Sequence, residues 1–292
     1  MRQDDDRHLW ESDLACERHR AEEDIPGIRH RTETKGELTL ERITVESEEG
    51  ARSIGRPMGR YDTLTLPSLE SLTEELREQA TEVLTRELCS LTEGALGHAP
   101  TSLLAVGLGN AAMTADAVGP RTVRNIRATR HLRAYDERMF RALDCAAIAV
   151  LEPGVSASSG LDAADTVAAV CRDVRPEAVL VFDALAARST ERLGRTVQLC
   201  DTGICPGSGV GNHRRPLARQ TLGCPVIAVG VPTVSDSRIF FEEMAHEQGL
   251  TVLEKTKRAG LFVTPRDVDA LVEEAATLLG AAVNRAFGIQ LA

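Results

Sequence analysis

The chain has 292 residues, of which 42% are hydrophobic and 3% aromatic, enough for a buried core built from Val, Leu, Ile and Ala rather than from rings. A formal net charge of -10 opposes direct attachment to nucleic-acid phosphates, and no apolar run reaches the roughly 18 residues needed to cross a membrane. The seven cysteines include no Cys-x-x-Cys pair, which favours reduced thiols and a cytoplasmic location and gives no metal site. The opening stretch, MRQDDDRHLWESD, is charged where a signal peptide needs an apolar core. Residues 1–27 are polar and charge-dense up to Ile25-Pro26-Gly27 and read as an exposed arm. Alternating runs over residues 28–66 predict a small β-rich subregion, and apolar residues at helical spacing predict a helix over 68–93. Buried strands are predicted at 103–108, 146–151, 178–182, 196–199 and 226–231, with helical stretches between several of them. That alternation predicts an α/β fold, a mostly parallel sheet flanked by helices. Thr264-Pro265-Arg266-Asp267 carries helix-start signals, and a closing helix of about six turns should run from there to Phe287.

Three strand-to-loop junctions carry the chemistry. Asp116 follows the run at 103–108, Asp183 directly follows Val179-Leu180-Val181-Phe182, and Asp201 opens the glycine-rich loop DTGICPGSGVGN at 201–212. If the three strands are parallel, their ends meet at the edge where open α/β sheets place active sites, and carboxylates gathered there suit general acid/base work. Each signal also has a plainer explanation. Asp116 lies after Thr114 at an expected helix start, where an acid favours the helix dipole. Asp183 is harder to explain by structure alone, because a carboxylate following an apolar run is costly to bury without partners. The glycine loop lacks the Gly-Lys-Ser/Thr ending of a phosphate-binding loop, and Gly107-x-Gly109-x-x-Ala112 only imitates a dinucleotide fingerprint. Asp201-Thr202-Gly203 copies the aspartic-protease tripeptide, but only once and within an alternating pattern. The seven histidines show no close-spaced ligand pair, so no cofactor is expected, while a metal is left open.

The order of motifs resembles the germination (spore) protease family, endopeptidases that degrade small acid-soluble spore proteins. The resemblance is carried by VGLGN at 106–110, ADAVGPRTV at 115–123, TRHL at 129–132, EPGV at 152–155, VFDALAARS at 181–189, the loop at 201–212, TLGCPVIAVGVPTV at 221–234 and FVTPRDVDALV at 262–272. It covers roughly residues 11–287. It implies a phosphorylase/hydrolase-like α/β fold related to hydrogenase-maturation proteases, a homotetramer, and a place in the cytoplasm of the forespore or spore core. It also carries two proposed catalytic aspartates onto Asp116 and Asp183, the pair that the strand-end argument selects. Asn110, Asp201, Gly207, Gly209 and Gly211 then become substrate or loop support.

The same resemblance gives the arm a purpose. Family members are made as zymogens that remove a short prosegment within a sequence similar to SDLACE at 12–17, so processing is expected between Asp13 and Leu14. Residues 1–13 would be the prosegment and 14–292 one peptidase domain. Two positions depart from the family pattern: Cys205 stands where His is usual, and SASSG at 156–160 lacks the usual Gly and Gln. The expected mechanism is direct attack of water on the peptide carbonyl, one aspartate ionised and the other protonated. A metal-dependent maturation-type protease of the same fold and a nucleotide-binding α/β protein are the alternatives.

Overall fold

Strand alternation and glycine turns build the first part of the chain. The computed structural model describes residues 12–18, 25–207, 215–250 and 261–288. Strands β1 (Ile28–Lys35) and β2 (Leu38–Val45) form a hairpin whose turn uses Gly36 at φ 60, the left-handed region that glycine enters without strain. In β2 the buried set changes phase. Leu38 and Leu40 face one side of the sheet and Ile43 and Val45 the other, so both faces of this strand are covered along part of its length. Helix α1 (Glu48–Ile54) is capped by Ser47, whose hydroxyl accepts from Gly50 N at 3.1 Å, and β3 (Gly59–Thr65) returns beside β2.

Helix α2 (Glu74–Leu96) starts later than its apolar spacing suggests, because Thr73 caps it. Leu69 and Leu72 are buried in the loop before it and imitate a first turn. The order then runs β4 (Ser102–Gly107), α3 (Val118–Arg124), α4 (Arg130–Tyr135), α5 (Glu137–Ala142), β5 (Ala147–Leu151), α6 (Ser156–Ser159), α7 (Ala163–Val174), β6 (Ala178–Ala187) and β7 (Thr196–Cys200). It closes with α8 (Arg219–Leu222), β8 (Val226–Asp236), α9 (Ser237–Glu247), β9 (Phe262–Val263) and α10 (Val268–Phe287). The last helix begins at Val268 rather than at Pro265, since Thr264 is not its cap: the Thr264 hydroxyl donates instead to the Thr233 carbonyl at 2.9 Å.

The described strands form one sheet in the order β1-β2-β3-β7-β8-β6-β4-β5, with β9 pairing the far end of β8. Strands β5, β4, β6 and β8 are parallel. The others are antiparallel, so the sheet as a whole is mixed and the expectation of a mostly parallel sheet holds for this inner part alone. Residues 28–65 are not set apart from it, because β3 pairs β7 and the amino-terminal strands continue the same sheet. Helices α2, α3 and α10 cover one face through a core that includes Leu84, Leu88, Leu180, Phe182, Val229 and Leu279. On the opposite face α7 covers β4 and β6, with Val167 against Val106 and Val181. Further along that face, among the described residues, the short α1 through Ile54 and residues 14–16 fill the space with Tyr61, Leu185 and Ala228. The arm is therefore not exposed over 12–18: Leu14 and Ala15 are 0% exposed. Burial of a leucine contributes about 1.5–3 kcal/mol, and three consecutive small or apolar residues are too short a run for periodicity to reveal.

Candidate active site

Asp183 does not end its strand. It lies within β6, in register with Gly230 of β8, and β6 continues to Ala187. It is 7% exposed, and its carboxylate accepts from the Ala184 N–H at 2.9 Å. Two residues further on, the β6–β8 register shifts between Leu185 and Ala186, which leaves Thr233 of β8 as the extra residue. The Thr233 hydroxyl donates to the Ala115 carbonyl at 2.6 Å and thereby ties β8 to the loop that carries Asp116.

Asp116 reaches the same place from the end of β4. It closes a 3-10 turn, Thr114–Asp116, and does not cap α3, whose cap position is Ala117 with no side-chain bond. Its carboxylate instead turns back to accept from Asn110 N at 2.8 Å, while the Asn110 side chain accepts from Ala112 N at 3.0 Å. Close backbone approach makes this possible. A Cβ at Gly109, at φ 114, would sit 2.0 Å from the Asp116 carbonyl oxygen. One at Gly119 would sit 2.2 Å from the Leu108 oxygen and 2.4 Å from that of Phe182. Asp116 and Asp183 thus line one cavity of about 260 Å³, with Asp13, Leu185, Cys205 and Gly207 also on its wall.

Asp201 is placed differently. Because β7 runs antiparallel to β8, its carboxyl end points away from the edge at which β4 ends, and Asp201 is not on the wall of that cavity. Its carboxylate accepts from Arg60 N at 2.8 Å beside Gly59, whose Cβ would lie 2.4 Å from it. Burial raises its pKa and the Arg60 N–H bond opposes the rise. Asp201 therefore fixes the start of β3. The glycine loop then doubles back: Gly203 takes φ 79, Ile204 pairs with Leu217 through bonds of 2.9 and 2.8 Å, and Cys205 and Gly207 return to the cavity. Gly209 and Gly211 lie outside the described residues.

The segment 12–18 lies against the same site. Asp13 N donates to Ala186 O at 2.9 Å and the Asp13 carboxylate accepts from Ala186 N at 2.9 Å. Gln198 of β7 donates to the Asp13 carbonyl at 3.0 Å and accepts from Ala15 N at 2.7 Å. Arg56 and Arg18 donate to the Ser12 carbonyl at 2.5 and 3.1 Å. Glu17 accepts from the backbone of Arg188 and Ser189 at 2.7 Å each, and from the Ser12 hydroxyl. These receptors were not read from sequence. Gln198 had a usable signal, a lone amide inside the buried run TVQLC; Arg56 and Thr233 had none.

A family model described as germination protease matches residues 7–245. The chain belongs to the germination protease family. The germination protease of Caldanaerobacter subterraneus subsp. tengcongensis is 33% identical over 305 aligned residues, covering 94% of this chain and 93% of that protein. That of Clostridium tetani is 31% identical, with 86% and 85% covered, and that of Geobacillus sp. strain WCH70 is 33% identical, with 84% and 82% covered. Among solved structures, a [NiFe] hydrogenase maturation protease from Thermococcus kodakarensis matches at a TM-score of 0.36 and 18% identity, over 68% of this chain and 99% of that one, a likeness too distant to bear on the site.

Germination protease membership makes the chain a peptidase, a hydrolase of protein substrates with a role in spore germination. Among the described residues no three His, Cys, Asp or Glu side chains gather where they would hold a metal ion, and no helix is long and apolar enough to cross a membrane.

Proposed function

We propose that this germination protease cuts small acid-soluble spore proteins with Asp116 and Asp183, and that it is made as a zymogen that first cuts its own chain between Asp13 and Leu14. Residues 1–13 are then the prosegment and 14–292 the peptidase domain, acting as a homotetramer in the cytoplasm of the forespore or spore core. The observation that carries this reading is that the substrate-like segment 12–17 is seated beside the cavity the two aspartates share, with Asp13 on its wall.

The chemistry follows from two carboxyl groups on one small, partly buried cavity. Two neighbouring carboxyl groups do not readily ionise together, and in this reading one acts charged and the other protonated. The charged one takes a proton from water as the water oxygen bonds to the Asp13 carbonyl carbon. The protonated one gives its proton to the Leu14 nitrogen as the C–N bond breaks. Asn110 and Gly109 support Asp116 by holding its loop, and Asp201 supports the glycine loop from outside the cavity.

Incubating the purified chain at acidic pH and sequencing its amino terminus tests the self-cut. A new terminus at Leu14, absent from Asp183→Asn, is the expected result; a terminus elsewhere overturns it. Mass mapping of a purified small acid-soluble spore protein after incubation with the activated enzyme tests the substrate, and an intact substrate overturns that assignment.

A further inference from the structure

Gln198 is 7% exposed, sits on β7, and spends both ends of its side-chain amide on one short stretch of chain. Its Nε2 donates to the Asp13 carbonyl at 3.0 Å, and its Oε1 accepts from Ala15 N at 2.7 Å. The bond between Asp13 and Leu14 lies between those two contacts. In the sheet, Gln198 and Asp183 are both in register with Gly230, so they stand on the same face on either side of a residue without a side chain. Two strand spacings separate them, about 9–10 Å between backbones. The Leu185 side chain packs over Gly230 between them, within 2.4 Å of where a Cβ would stand, and Asp13 lines both the cavity beside Asp183 and the one beside Gln198.

We infer that Gln198 is the carbonyl-polarising residue of this peptidase: its Nε2–H bonds the oxygen of the peptide bond to be cut, while its Oε1 holds the amide two residues beyond. The inference rests on the proposed reading of Asp13–Leu14 as the scissile bond. When water adds to the Asp13 carbonyl carbon, the π electron pair moves onto the oxygen, and a donor already in place stabilises it. As that pair returns to re-form the carbonyl, the C–N bond breaks and the Leu14 nitrogen takes its proton from the protonated aspartate. With Gln198 on the oxygen, neither aspartate has to polarise the carbonyl, and both are free for proton transfer.

The test uses the full chain as wild type, Gln198→Glu and Gln198→Met, timing the appearance of the Leu14 terminus across pH and following segment docking by hydrogen exchange of the Ala15 amide. Above the pKa of the introduced carboxyl, Gln198→Glu keeps the acceptor for Ala15 N but has no donor for the carbonyl. It should retain Ala15 protection yet cut about 100-fold more slowly, the usual effect of losing one such donor. The deficit should narrow as pH falls and the introduced carboxyl gains a proton to donate. Gln198→Met should lose protection and show no acid rescue; if it does not fold, Gln198→Glu alone decides. A docked Gln198→Glu chain that cuts within threefold of wild type at the highest pH at which wild type cuts, or whose deficit is unchanged by further acid, overturns the role of Gln198. A wild-type chain that never cuts between Asp13 and Leu14 overturns the scissile-bond reading, and this inference with it.

Discussion

One face of the sheet is covered in two ways. Over β4 and β6 lies α7, a helix with its own cap, Asp162 accepting from Ala164 N at 2.8 Å, and an apolar side that packs Val167 into the sheet. Over the neighbouring strands lies the segment 12–18, held by one buried leucine, two small neighbours and a set of side-chain-to-backbone bonds from Gln198, Arg56 and Glu17. A helix brings its hydrogen bonds with it, whereas a segment bound by receptors on the sheet can leave without any element unfolding. Asp183 stands on β6 between the two covers, with Val181 under the first and Leu185 under the second. The proposed site thus lies where a helical cover gives way to a cover held by side-chain receptors, and in the proposed reading that second cover is the part a substrate would replace.

The largest effect should come from the residues between the two covers. Asp116→Asn and Asp183→Asn are nearly isosteric, so both should fold and keep the segment docked while the cut slows by at least about 100-fold. Near wild-type cutting in either variant would remove that residue from the mechanism. Next is Gly119→Ala, whose Cβ would press on the backbone oxygens of Leu108 and Phe182. Displacing the Asp116 loop should lower the rate about 10- to 100-fold and stability by about 1–3 kcal/mol; an unaltered rate would show that the loop tolerates a shift. Leu14→Ala and Val167→Ala compare the covers directly. The first should slow the self-cut about tenfold with little change in global melting. The second should lower global stability by about 1–2 kcal/mol and leave the cut rate alone. The reverse pattern would sink the distinction between the two covers.

The smallest effect on rate is a control for acid. Asp62, on β3 and away from both covers, has its pKa pushed up to about 6, chiefly by burial and against the pull of Arg60. Its neutral form is the one the fold favours. Its contribution to stability is therefore full below its ordinary value of 3.8 and is lost as pH rises through about 6. Glu87 shifts the opposite way: burial raises its pKa, but hydrogen bonds from Arg42 and Arg86 outweigh it. Asp62→Asn should accordingly raise stability by about 1–3 kcal/mol at pH 7.5 and hardly at all at pH 4, with the self-cut unchanged. Thermal melting at the two pH values decides this.

How far the sequence reached depended on the length of the signal. Buried runs of five or more residues, such as 103–108 and 226–231, are legible because such runs have few uses other than an inner strand. The pairing of Asp116 with Asp183 was legible because β4 and β6 are parallel neighbours, as strand-end reasoning requires. Asp201 did not join them because β7 is antiparallel, and nothing in TVQLC encodes the direction in which it will pair. That Asp183 lies inside its strand was also hidden, since the Ala-rich continuation ALAA reads as loop but pairs with β8 across a register shift. Gln198 shows the limit most directly. An amide in an apolar run announces a partner, but its partner lies 185 residues away in the chain and no local pattern points to it.

Thr233 has a further consequence. Its hydroxyl holds the carbonyl just before Asp116, and its own carbonyl receives the hydroxyl of Thr264, a few residues ahead of α10. The stretch leading into the last helix is therefore coupled to the aspartate loop as a lever is to its load. Phe262, two residues before Thr264, is at once 41% exposed and on the wall of the cavity, so one short stretch joins the outer surface, the cavity wall and, through two hydroxyl bonds, the loop of Asp116.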